Sequence, residues 1–213
     1  MALPSSFRPF DDDREISLKD QRRAEANREK AFTRMIRHAL AGQVLNAADL
    51  AGWHRELLVG LSFVPDPCYL GGYRGSEHPW LRRYNVRIGA VLATPAEKVL
   101  EELERFFRSL AHQIKNIAIV PGQAFSREEL LGVVALAAWA HGEWIRIHPF
   151  ANANGRTGRL LANWVLAFFR LPPVIRVRPR PGSTYAKAAA ASMKGQNDLM
   201  ARWLLDLLEE QGP

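Results

Sequence analysis

Apolar residues recur at helical spacing along most of this chain, and one stretch breaks the pattern. Residues 14–40 are charged, with apolar punctuation at Ile16, Leu18, Ala24, Phe32, Ile36 and Leu40, which predicts an amphipathic helix. A second helix is expected after Asn46, with Leu50, Trp53, Leu57 and Leu58 on one face. From Pro65 to Thr94 the texture changes. Pro65, Pro67, Gly71, Gly72, Gly75, Pro79 and Gly89 interrupt short β-prone pieces such as Asn85-Val86-Arg87-Ile88, so an irregular loop and then a small hairpin are expected.

Thr94-Pro95-Ala96-Glu97 carries a helix-start signal, with Thr94 as cap, Pro95 in the first turn and Glu97 closing a capping box. Val99, Leu100, Leu103, Phe106, Phe107 and Leu110 continue that helix. Ser126-Arg127-Glu128-Glu129 repeats the signal and opens a helix through Val133, Val134, Ala137 and Trp144 to about Ile147. Another helix is expected from about Arg156 to Arg170, stopped by Leu171-Pro172-Pro173, and a last helical region from about Tyr185 to Leu208. The fold class is therefore mainly α with one short hairpin. The six tryptophans fall mostly at helix-core positions and read as packing.

Composition narrows the class. With 213 residues, 47% hydrophobic and 24% charged, the chain is neither disordered, nor collagen-like, nor a disulfide scaffold, and it is long enough for a full core. The single cysteine, Cys68, suits a reducing compartment. Met1 to Asp13 lacks the pattern of a secretion signal, and no run is expected to reach the roughly 20 apolar residues of a membrane helix. The expected location is therefore cytoplasmic, with no membrane partner. The net charge is +7, and all but six of the 29 basic residues are arginine. That balance suits phosphate binding but by itself leaves a nucleotide enzyme, a nucleic-acid binder and a neutral excess all open.

The chemistry concentrates in His148-Pro149-Phe150-Ala151-Asn152-Ala153-Asn154-Gly155-Arg156-Thr157-Gly158-Arg159, a tight loop between two expected helices. Small residues at 151, 153 and 155 let the backbone turn with its N–H groups open, and such groups at a helix N-terminus bind anions. At roughly 100° per residue, Arg156, Arg159 and Asn163 share one face, and Leu160, Leu161, Trp164 and Phe168 form another. Two arginines in a first turn oppose the helix dipole, a penalty that a bound polyphosphate would remove. His148, with an ordinary pKa of roughly 6.5, lies beside this cradle as a candidate general base.

The segment resembles the signature of the Fic (filamentation induced by cAMP) or Fic/Doc family, His-x-Phe-x-(Asp/Glu)-(Ala/Gly)-Asn-(Gly/Lys)-Arg with a second Arg three residues on. The match covers His148, Phe150, Ala153, Asn154, Gly155, Arg156 and Arg159. It extends outward to His141, Ile147 and Leu160-Leu161, and upstream to Gly72-Tyr73-Arg74 and Val86-Arg87-Ile88-Gly89. The resemblance implies a helical bundle with the motif loop between two central helices and a short β-hairpin flap. Residues 45–205 would form the core, 1–44 an N-terminal helical extension and 206–213 a tail. It further implies a nucleotidyltransferase that moves AMP from ATP to a Ser, Thr or Tyr hydroxyl of a target protein. By that analogy His148 is the base, and Phe150 anchors the loop. Asn154 and Gly155 bind the transferred phosphate, Arg156 and Arg159 hold the outer phosphates, and Asn85, Val86, Arg87, Ile88 and Gly89 clamp the target by strand addition. Gly155 points to the AMP-transferring branch, because the phosphorylating branch has Lys there.

One position departs from the pattern. Asn152 stands where the family has a metal-binding acid; an amide oxygen brings no charge, so Mg²⁺ would be held weakly. The alternative reading is a member that binds nucleotide or a protein partner without efficient transfer. No Ser or Thr is followed four positions later by Glu, the pattern of the family's inhibitory segment, so a separate inhibitory protein is expected, as in a toxin–antitoxin pair, for a bacterial toxin or translocated effector. Nucleic acid is not the expected partner. His141 reads as a packing or supporting residue, and Arg176, Arg178 and Arg180, among prolines, as a solvated edge.

Overall fold

A computed structural model describes residues 17–117 and 125–211. Within them the chain forms seven α-helices: α1 Leu18–Leu40, α2 Ala47–Leu58, α3 Ala96–Asn116, α4 Arg127–Ile147, α5 Asn154–Phe168, α6 Ser183–Ser192 and α7 Asp198–Glu210. A 3₁₀ turn at Pro67–Tyr69 and an antiparallel hairpin of β1 (Arg87–Ile88) and β2 (Val91–Leu92) lie between α2 and α3. The mainly α class with a short hairpin is therefore what forms. Residues 1–16, with Ile16 and the start of the expected N-terminal extension, and the last two residues of the expected tail fall outside the described residues.

α4 and α5 are the centre. α3, α6 and α7 pack on α4, while α1 and α2 pack on α5. α5 is buried along nearly its whole length, from Arg156 through Ala167. α4 is long and apolar enough by length and composition to cross a membrane, contrary to the expectation that no segment reaches that limit. Its apolar residues have another use here: Val133, Val134, Ala137, Ala140 and Trp144 are fully buried among the neighbouring helices. Gly142 lets α6 come close, since a Cβ there would lie 2.0 Å from Ser192 Oγ.

The start signals hold where the cap is local. Asn46 with Asp49 and Ser126 with Glu129 form reciprocal capping boxes on α2 and α4. At α3 a tertiary partner replaces the expected cap. Asn85 Oδ1 accepts the Ala96 N–H at 2.8 Å, while Thr94 is buried with its hydroxyl 3.4 Å from the Arg146 carbonyl. α1 also turns differently from its apolar punctuation. Leu18 and Leu40 are exposed, and the buried face carries Ala24, Asn27, Ala31, Met35 and Ala39. Small side chains let α1 lie close, and Asn27 donates to the Val59 carbonyl at 2.9 Å, tying α1 to the end of α2. The last helical region is two helices, parted by a turn in which Gly195 has φ +82°.

Candidate functional site

The loop 148–153 joins the C-terminus of α4 to the N-terminus of α5, and both of its ends are left-handed: φ is +52° at His148 and +60° at Ala153. Each such non-glycine residue costs about 1–2 kcal/mol, so the surroundings must over-determine the bend. Three sets of contacts do so. Phe150 is fully buried and stacks on His54 at 3.8 Å and on Tyr73 at 4.7 Å between ring centroids. Asn154 closes the loop on itself, its Oδ1 accepting the Phe150 N–H at 2.9 Å and its Nδ2 donating to the Phe150 carbonyl at 2.8 Å. His54 accepts the Gly71 N–H at Nδ1 (3.0 Å), which leaves Nε2 to donate to the Asn152 carbonyl at 3.1 Å.

Arg74 supplies a second fastening from the irregular segment. Its guanidinium is completely buried and donates to four backbone carbonyls, those of His148 (2.7 Å), Tyr84 (3.0 Å), Thr94 (2.9 Å) and Ile147 (2.9 Å). Two of these close α4, where the helix leaves its carbonyls unsatisfied and its dipole is negative. The Arg74 N–H also donates to the Pro149 carbonyl at 2.8 Å. Burial pulls this guanidinium down to about 10, still well above neutrality. Gly75, at φ +80°, follows in a backbone where a Cβ would sit 2.0 Å from the Ala96 carbonyl oxygen.

This scaffold borders a cavity of about 440 Å³ lined by Ile88, Ile145, His148, Asn152–Arg156, Arg159, Arg178, Arg180, Tyr185 and Ala189, within the usual range for small-molecule sites. A larger groove of about 630 Å³ runs beside α1, but its lining is Leu18, Lys19, Arg22, Arg23, Ala26, Asn27 and Lys30. No histidine, carboxylate or hydroxyl lies among those residues to move a proton near neutrality.

Within the 440 Å³ cavity His148 is half-buried. Its Nδ1 lies 3.2 Å from the Ile145 carbonyl, an acceptor, so Nδ1 carries the proton and Nε2 keeps its lone pair. Burial is the main cause that lowers the imidazole to about 4, the nearby Arg74 charge acting the same way, against the bond to Ile145. At pH 7 it is a neutral base. The same cavity takes in the first turn of α5, where the Arg156 and Thr157 N–H groups both donate to the Ala153 carbonyl at 3.0 Å, and the N–H groups of Asn154 and Gly155 precede the helical ladder. Arg156 and Arg159 are both buried at the wall.

Several expected roles are redistributed. The Asn154 amide is spent on the Phe150 backbone, so what residue 154 offers an anion is its main chain. Arg159 donates to the Val177 carbonyl through Nε (3.2 Å) and Nη2 (2.8 Å), and through Nη1 to the Tyr185 hydroxyl (3.1 Å). That hydroxyl lies 2.9 Å from His141 Nε2, so His141 supports Tyr185 and, through it, Arg159. Burial lowers His141 to about 3. In the hairpin, Ile88 reaches the cavity, whereas Asn85 caps α3 instead of facing a target. The Val86 carbonyl accepts from the Ala93 N–H at 3.0 Å, Arg87 spans to the Ala90 carbonyl, and Gly89 makes the turn at φ +59°.

Sequence reasoning missed His54 and the clamp made by Arg74, and it assigned Arg178 and Arg180 to a solvated edge. They are exposed and also line the cavity. Their alternation in an extended segment was the available signal; nothing local showed which way that segment faces. The residues present do not fit Mg²⁺. Among the described residues no carboxylate lines the cavity, and Asn152 Oδ1 accepts the N–H of its neighbour Ala153. Asp66, Cys68 and His78 do bring ligand atoms within 4.8 Å of one another, but none of them lines the cavity. Burial, aided by Asp66, pushes the Cys68 thiol up to about 12, which keeps it protonated.

The geometry can be set beside known proteins. The model of the Fic/DOC family matches residues 44–166. A uridine 5'-monophosphate transferase of Xanthomonas campestris is 37% identical over 79 residues, covering 37% of this chain and 13% of that protein. A protein adenylyltransferase of Caenorhabditis briggsae is 28% identical over 149 residues, covering 70% of this chain and 27% of that protein. The chain thus spans about a quarter or less of the length of these relatives. A Fic-domain-containing signalling protein from Bacteroides thetaiotaomicron shares the fold, with a TM-score of 0.68 at 18% identity over 92% of this chain and 71% of that one.

Proposed function

This chain belongs to the Fic/DOC family, and on that premise we propose that it transfers a nucleoside monophosphate, AMP from ATP in the first instance, to a Ser, Thr or Tyr hydroxyl of a target protein. The observation that carries the proposal is His148: a neutral imidazole with its proton fixed at Nδ1 and its Nε2 available, on the same cavity as the α5 N-terminus and two buried arginines.

In this reaction Nε2 takes the proton of the incoming hydroxyl. The hydroxyl oxygen bonds to the α-phosphorus, the bond from that phosphorus to the bridging oxygen of the β-phosphate breaks, and pyrophosphate leaves with its electron pair. The N–H groups of Asn154 and Gly155 would meet the charge that builds on the α-phosphate, and the positive charge of Arg156 and Arg159 at the cavity wall would favour the leaving pyrophosphate. A positioned base contributes about 10²–10⁴-fold. The hairpin edge, with Val91 and Leu92 exposed, offers the target a strand to pair with. Because relatives are named for both AMP and UMP transfer, the assay uses both nucleotides.

Purified protein, cell lysate and labelled ATP or UTP should yield a labelled protein, and His148→Ala should abolish it while leaving nucleotide binding intact. Absence of label with either nucleotide refutes transfer. Binding without label would instead favour the reading of a nucleotide-holding protein, which Asn152 motivates. The proposal extends to a bacterial toxin or effector held in check by a separate inhibitory protein. Growth arrest on expression, relieved by a co-expressed neighbour gene, is the test of that part.

A further inference from the structure

The charge balance of the cavity departs from what a metal-complexed polyphosphate needs. Four guanidinium groups, those of Arg156, Arg159, Arg178 and Arg180, line it together with His148, and among the described residues no Asp or Glu does. Mg²⁺ is ordinarily held by one or two carboxylates together with substrate phosphates. Here the residue in the acid's position is an amide whose oxygen accepts the Ala153 N–H. A dication placed here would face four guanidinium charges and no charged ligand among the described residues.

The segment carrying Arg178 and Arg180 is also fixed in place. Asn163 clasps it, donating to the Ile175 carbonyl at 2.7 Å and accepting the Ile175 N–H at 2.9 Å. Arg159 binds the Val177 carbonyl. Ile175 and Val177 are buried and hold the segment down, the chain bends at residues 177–179, and Arg178 and Arg180 both line the cavity. The arginines of the α5 first turn and those of this segment come from stretches about twenty residues apart in sequence, and only the fold gathers them.

We propose that this site takes a nucleoside polyphosphate free of divalent cation, with Arg178 and Arg180 supplying the counter-charge that a metal would otherwise bring. The inference rests on the nucleotide-transfer reading for its choice of ligand, but it concerns binding and is tested by binding. Guanidinium groups suit the task because each offers forked donors to phosphate oxygens and stays charged at any physiological pH. Transfer would then proceed in chelator, with the pyrophosphate charge met by arginine.

The experiment is calorimetric titration of the full chain with ATP and, separately, with inorganic triphosphate, each in EDTA and in excess MgCl₂. Both probes should bind in EDTA, with no gain in affinity from Mg²⁺. The R178A/R180A variant should lose about tenfold or more in EDTA while its thermal unfolding stays unchanged, since both side chains are exposed. Asn152→Asp should move the preference toward Mg²⁺. Binding that requires Mg²⁺, a double variant that binds as the parent does, or no binding of either probe overturns the inference. If the probes bind in EDTA but no protein is ever labelled, the transfer reading fails and this one stands. If transfer occurs but binding needs Mg²⁺, the reverse holds.

Discussion

Three of the six histidines are held neutral by burial, and lowering the pH should undo the fold through them. Burial lowers His54 and His141 to about 3 and His148 to about 4, against about 6.5 in the unfolded chain. Between those values the unfolded state binds more protons than the folded one, so stability is constant above about pH 6.5 and falls as the pH drops below it. At about 1.4 kcal/mol per pH unit for each group, pH 5 costs about 2 kcal/mol per histidine and about 6 kcal/mol for the three together. A domain of this size has about 5–15 kcal/mol in total. Carboxylates do not confuse this window. Glu102, bonded to Arg146, and Asp20, bonded to Ser62, are held below the ordinary carboxylate range, so their contribution is lost only at still lower pH. Urea unfolding followed by circular dichroism at pH 7.5, 6 and 5 measures the slope, and His141→Gln should remove about a third of it. A free energy of unfolding that changes by less than about 1 kcal/mol between pH 7.5 and 5 would refute the argument that these rings are buried and neutral. The same shift keeps His148 unprotonated, so transfer should show no loss of its base between pH 8 and 6.

Arg74→Met strips donors from four backbone carbonyls, two of them in buried bonds, and should cost about 3–5 kcal/mol, read as a lower urea midpoint; a midpoint equal to the parent's would mean those carbonyls find other donors. Gly75→Ala sets a Cβ against the Ala96 carbonyl at a positive φ and should cost about 2 kcal/mol or more. Asn154→Ala removes both bonds to the Phe150 backbone. It should lower stability by about 2 kcal/mol and weaken ATP binding as the loop loosens, and titration of the variant checks the second effect.

Periodicity and start signals were enough to find the helices from α2 to α5 to within a few residues, because their apolar faces are local, as are the capping boxes of α2 and α4. The loop motif was equally legible, since its small residues and guanidinium spacing lie within twelve positions. Other features depend on partners distant in sequence. Asn85 took over the cap of α3 because it could reach the Ala96 N–H, and the buried face of α1 followed from how closely small residues let it approach. His54 and Arg74 carry no local pattern; their roles exist only where the backbone of the motif loop offers them carbonyls. The facing of Arg178 and Arg180 was undetermined for the same reason: the chain bends at residues 177–179, and the clasp of Ile175 and Val177 by Asn163 and Arg159 fixes the segment against the cavity.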